Sequence, residues 1–243
     1  MYKEGIIDPE FTTKDLEKML QGEISSSVGV SPYYQYWGYD PGPNVVQNLG
    51  ADAIFEPYEI PSANGGEVKA SVTFANYGYI VVSKGCKNPE AVLKLLNFYA
   101  HVMDEGDEED ADFINELFGN AYTNIPYALR VINPNTDYNQ FVKVSGALEK
   151  GLDEDPAALG KDGVKYSNSV DFIKEGASTG VGDYLQQGGP KAAYRISKEI
   201  IDNEQYIKDA MWGPATETLL SAGSTLDDIL TEGFTKINRR RGE

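Results

Sequence analysis

Two residue types that build many hydrolytic and metal centres are nearly missing from this chain. Its 243 residues hold one cysteine, Cys86, and one histidine, His101. A single thiol excludes an internal disulfide and any multi-thiolate metal site. A single imidazole excludes every site that needs two. A Ser-His-Asp arrangement would rest on His101 alone, at the end of a helical pattern, where a packed or surface histidine is the simpler reading. Cys86 lies in a turn between Lys84 and Lys87 with no obvious base, and reads as a structural or incidental thiol. Long apolar runs are lacking too: none approaches the roughly 18–20 residues needed to cross a bilayer. Residues 1–10 do not have the pattern of a secretory leader. The segment is therefore either cytosolic or part of something longer. Basic residues are scarce, 21 against 38 acids, and the net charge is −17. Repulsion from phosphate argues against nucleic-acid and anionic-membrane partners.

What is present is enough for a core: 41% of the residues are apolar. The length allows one large domain or two small ones. Tyrosine is favoured, 16 against 9 Phe and 2 Trp, and its apolar body and polar tip suit half-wet surfaces and clefts. The most concentrated aromatic stretch is residues 31–43, where Tyr33, Tyr34, Tyr36, Trp37 and Tyr39 fall within seven positions closed by Pro41, Gly42 and Pro43. That much ring area in a loop points to a binding surface or to packing against a lobe or partner.

Helical and strand patterns alternate along the chain. Thr12 as cap and Leu16, Met19 and Leu20 as a stripe predict a first helix that stops at Gly22. Residues 25–30 then read as a strand. Residues 56–61, with Pro57 and Pro61, read as an edge strand, and a turn at 63–66 leads into a strand over 68–74. Residues 77–82 are apolar on both faces, the pattern of a buried strand. Asn88 as cap, Pro89 at the first position and Glu90 in the first turn predict the next helix, with Val92, Leu95, Leu96 and Tyr99 inward. Later helices are expected over 141–150, 170–174 and from Pro190, and a last one capped at Ser224 or Thr225. Strand, turn and capped helix in sequence predict an α/β fold.

Chemistry-bearing motifs are few. The acid run over 104–116 lacks the glycine and the alternation of a calcium loop and reads as a solvated face. Gly180, Gly182, Gly188 and Gly189 do not follow a strand with phosphate-binding spacing. Two carboxylates could make a glycosidase pair, but nothing selects which two. No catalytic residue, metal ligand or cofactor is assigned.

Residues 2–11, 19–23 with 32–34, 58–67, 81–91 with 95–97, and 212–219 with 225–226 and 232–237 resemble, in that order, stretches of extracellular solute-binding protein family 1, the receptors of sugar-importing ABC systems, and in particular its Gram-positive lipoprotein branch. Residues 2–11, Tyr-Lys-Glu-Gly-Ile-Ile-Asp-Pro-Glu-Phe, are similar to that branch's Tyr-x-Glu-Gly-Leu-Ile-Asp-Pro-Glu-Phe stretch. Residues 19–23 followed by Pro32, Tyr33 and Tyr34 resemble its helix and Gly-Pro-Trp-Trp loop. Residues 58–67 resemble its Pro-x-Pro and Gly-Gly region, and 81–91, continuing through 95–97, form the most specific stretch. Residues 212–219, Trp-Gly-Pro-Ala-Thr-Glu-Thr-Leu, resemble its Gly-x-Pro-Thr-x-Thr-Met segment, and 225–226 with 232–237 its closing helix. Residues 104–190 match loosely.

The resemblance implies a type II periplasmic-binding-protein-like fold of two α/β lobes, with the ligand between them. It places residues 1–72 and 127–243 in the second lobe and 77–125 in the first. The family's signal, its lipidated cysteine and most of the first lobe are not in these residues, so the resemblance implies a portion of a longer cell-surface lipoprotein. The implied ligand is a saccharide, the implied partners are the membrane permease subunits, and membrane insertion by this segment is not implied. Tyr33 matches the stacking aromatic after the loop proline, where Trp is more usual, and Trp212 matches a second stacking aromatic. Tyr34 and Trp37 correspond more weakly, with Asp40, Asn76 and Glu217 as hydroxyl partners. Two other readings stay open: a carbohydrate-active enzyme with an unidentified carboxylate pair, and a receptor for a peptide or other polar solute.

Overall fold

The computed structural model describes residues 4–72, 79–101, 135–210 and 214–240. The chain divides into two compact units, Met1–Val28 with Asp209–Glu243, and Gly29–Lys208. The described residues are mainly helical with one two-stranded parallel sheet, an α/β-like mixture. Residues 73–78 and 102–134, which include about half of the stretch expected in the first lobe, lie outside the described residues.

In the first unit, helix α1 spans Leu16–Ile24. Its cap is Asp15, whose carboxylate accepts from the Lys18 backbone N–H at 2.9 Å, so the cap expected at Thr12 falls three residues later. Thr12 and Thr13 belong to the preceding turn, where Lys14 pairs with Asp8. The strand expected at 25–30 does not form. Ser26 takes a left-handed φ of 61°, and the N–H groups of Ser25, Ser27 and Val28 turn back onto the carbonyls of Gln21 and Gly22. These bonds satisfy the helix's last acceptors, which a departing strand would leave open. The long helix of this unit spans Glu217–Arg240. It starts at Thr216, whose hydroxyl accepts from Leu219 N–H at 3.2 Å, well before the cap expected at Ser224 or Thr225. Its apolar residues, among them Leu220, Leu226, Ile229 and Phe234, are exposed.

The second unit begins with a 3₁₀ turn, Gln35–Gly38, and helix α2, Gly42–Leu49. Strand β1, Ala70–Val72, falls inside the expected 68–74. Helix α3 spans Glu90–Ala100, with Pro89 at its start and Glu90 in the first turn. Asn88 contributes its backbone carbonyl to Ala91 N–H, and no side-chain cap forms. Tyr99 is buried, whereas Leu95 is exposed. Residues 79–82 carry no strand, and Tyr79 and Val81 are 86% and 87% exposed. An apolar run reads as a central strand only when two neighbours pair with it, and no described residue does. Residues 56–61 carry no strand either.

Helices α4, Thr136–Lys150, and α5, Gly163–Glu175, hold the main core. Val144, Ala147, Tyr166 and Val170 are buried together, with Leu148, Leu152 and Leu159 against them. Burying a side chain such as Val144 contributes about 1.5–3 kcal/mol. Tyr166 is tolerated there because its hydroxyl donates to Gly151 O at 2.9 Å and accepts from Glu154 N–H at 3.0 Å. Residues 181–188 are helical, widening to π geometry at Tyr184–Gly188. Helix α6, Ala193–Asp202, contributes Tyr194 to a second cluster with Phe141 and Ala192. Strand β2, Tyr206–Lys208, then pairs parallel to β1 in the register Ala70↔Tyr206. Among the described residues no helix is long and apolar enough to cross a membrane.

Candidate functional site

The aromatic loop is a built turn with an inner and an outer face. Trp37, Tyr39 and Asp40 donate their N–H groups to the carbonyls of Tyr34 and Tyr36, at 2.9–3.2 Å. Trp37 turns inward and is 8% exposed, with its ring 4.8 Å from that of Phe55. Tyr34 and Tyr36 point outward and are 76% and 57% exposed. Tyr33 is half-buried and meets Tyr34 edge-on, centroids 5.8 Å apart.

Tyr39 fastens the turn from behind. Its hydroxyl donates to Asp183 Oδ1 at 2.5 Å and accepts from Lys165 Nζ at 3.1 Å. Lys165 also reaches Asp183 Oδ1 at 3.0 Å, and Asn168 donates to Asp183 Oδ2 at 2.7 Å. The buried carboxylate thus has a cation and two neutral donors, the condition under which burying a charge is tolerated. The Gln186 amide lies 3.2 Å from the same phenol oxygen. A phenol has one proton, already given to Asp183, so the amide fits best turned with Nε2 donating to it.

Burial pushes the Tyr39 phenol above its ordinary value, and the charge of Asp183 pushes it the same way. Tyr194 is raised chiefly by burial and then by Asp137 and Tyr36. Tyr39 is therefore a neutral donor at physiological pH and not an activated phenolate. The chemistry of this cluster is positioning.

Of the residues singled out in the sequence, Tyr33, Tyr34 and Asp40 share this one turn, with Asp40 exposed at its end. Trp37 is on the same turn but its ring is committed to Phe55. Glu217 is exposed in the first turn of the long helix of the other unit. Trp212 and Asn76 lie outside the described residues. Sequence reasoning missed Lys165, Asn168, Asp183 and Gln186. Asp183 and Gln186 carry one signal, as polar residues among the glycines at 180–189, and Lys165 and Asn168, inside α5, carry none. Among the described residues no group of three or more His, Cys, Asp or Glu could hold a metal ion.

Compared with known proteins, the chain matches no family model, no curated protein and no solved structure.

Proposed function

We propose that the chain is a non-catalytic saccharide-binding portion of the extracellular receptor of an ABC importer, in the manner of the family its sequence resembles. The observation that carries this reading is the turn at residues 33–40. It presents Tyr34 and Tyr36 to solvent, with Tyr33 edge-on to Tyr34 and an exposed Asp40 at the end of the turn, on a backbone fastened by Trp37 and Tyr39. A pyranose has one face of C–H bonds and a rim of hydroxyls. Exposed ring faces with a carboxylate alongside suit both, and a pre-set turn lowers the ordering cost of binding. In this reading the fold is a type II periplasmic-binding-protein-like arrangement, the partners beyond the sugar are the permease subunits, and the parent is a cell-surface lipoprotein.

Thermal-shift measurements across neutral oligosaccharides and short peptides test the ligand class. Stabilisation by saccharides alone supports the reading, and stabilisation by peptides alone replaces it with a peptide receptor. Release of reducing ends from the same oligosaccharides, lost on removal of one Asp or Glu, would replace it with an enzyme.

A further inference from the structure

Two shallow grooves of the second unit meet at Arg195. One, of about 450 Å³, runs between residues 57–59 and the first turns of α6. The other, of about 390 Å³, runs between α4, α5 and residues 184–190. Pro190 and Arg195 line both, so the two adjoin at the start of α6.

Arg195 is held but underused. Its guanidinium lies 5.5 Å from the Phe141 ring centroid. Its nearest carboxylate, Glu149, is 3.6 Å away, beyond hydrogen-bond range. Its Nε is buried with no partner. A buried N–H without an acceptor is rare in folded proteins and calls for an explanation. At the outer end of the first groove Tyr58 is 73% exposed. Its hydroxyl donates to Glu56 at 2.9 Å, and the Lys191 ammonium sits 5.4 Å from its ring centroid and pairs with Glu56.

The charges select the ligand. Lys191 is neutralised by Glu56, the Arg195 guanidinium pairs with Glu149 at 3.6 Å, and Glu59 and Glu199 also line the first groove. An anion would meet more repulsion than attraction. A neutral polyol suits the mixture, because each hydroxyl can accept from Arg195 and donate to a glutamate, while a C–H face lies against Tyr58. We propose that these adjoining grooves form a second saccharide subsite, taking a short neutral oligosaccharide with Arg195 as its central donor. The ligand class rests on the reading given above; the residues do not, since none belongs to the turn at 33–40.

Two-dimensional ¹H–¹⁵N spectra of the chain, including the arginine Nε–Hε signals, test it with maltotriose, cellotriose, xylotriose and, as the anionic control, trigalacturonate. The expected result is that a neutral trisaccharide shifts the Arg195 Hε signal. Tyr58→Ala, at an exposed position, weakens that response at least threefold and leaves shifts of the 33–40 backbone intact. Arg195→Lys, which keeps the charge and removes Nε, is read at the backbone amides of residues 191–196 and weakens their shifts at least threefold. Shifts in the turn without Arg195 overturn the groove and leave the proposed function standing. Shifts at Arg195 without the turn uphold the groove and displace the turn. Stronger response to trigalacturonate overturns the neutral-ligand assignment, and silence at both places overturns both.

Discussion

Gly182 and Tyr39 approach so closely that a Cβ on the glycine would lie 2.3 Å from Cδ1 of the tyrosine ring. Gly38 faces the same segment, where its own Cβ would stand 2.9 Å from the Gly182 Cα. The aromatic turn and residues 181–188 touch through backbone, and that contact brings the Tyr39 hydroxyl to Asp183. Glycine is used here for absence of bulk.

Gly182→Ala should therefore push the Tyr39 ring outward and break its bond to Asp183. Overpacking of this kind costs about 1–3 kcal/mol. Chemical denaturation followed by near-ultraviolet circular dichroism should show a lower midpoint. A midpoint equal to wild type would mean that the turn moves aside without cost.

Tyr39→Phe removes the hydroxyl and keeps the ring. Asp183 retains Lys165 and Asn168, so the loss is that of one hydrogen bond to a charged group, about 1.5–3 kcal/mol. The measurement is the same denaturation curve. A loss near zero would show that water replaces the phenol.

Tyr39 and Tyr194 give a pH dependence with a definite sign. Both phenols are raised above their ordinary values, mainly by burial, so the native state holds their protons more tightly than the unfolded chain. Their contribution is whole below about pH 10, the ordinary tyrosine value, and is lost as pH rises above it. Of the 16 tyrosines, Tyr194, 6% exposed, should give phenolate absorbance only as circular dichroism reports unfolding, and Tyr194→Phe should remove part of that late phase. Complete titration before any unfolding would refute the burial argument.

Trp37 and Tyr34 should separate stability from surface. Trp37→Ala opens a cavity against Phe55 and should cost about 3–5 kcal/mol. Tyr34→Ala, at an exposed ring, should fall within about 0.5 kcal/mol of wild type. Thermal unfolding of the two variants reads the contrast. Equal losses would show that Tyr34 is part of the packing.

Local signals were legible in the sequence where the physics is local. Pro89 with Glu90 marks the start of α3, and the apolar positions of 193–202 mark α6 because a helix makes its own hydrogen bonds. Strands are less legible: 25–30 and the described part of 77–82, residues 79–82, have strand composition, but a strand exists only with a partner. The turn at 33–40 stood out by its ring content, which is a property of the segment alone. Its fastening did not, because Tyr39 and Asp183 are 144 positions apart and an isolated aspartate between glycines carries no mark of what it will hold. The direction of Trp37 was illegible for the same reason: Phe55, which claims its ring, gives no sign of doing so.

Calorimetric titration of Tyr33→Ala, Tyr34→Ala and the unaltered chain, with the trisaccharide that gives the largest thermal shift, tests the central claim most directly. If the turn is the sugar platform, Tyr33→Ala should lose about 2 kcal/mol of binding, as truncated aromatic anchors do, which is roughly thirtyfold in affinity. Tyr34→Ala should lose at least roughly tenfold, while both variants keep the wild-type unfolding midpoint. Unchanged affinity in both would contradict the account and leave the turn as a packing or docking surface.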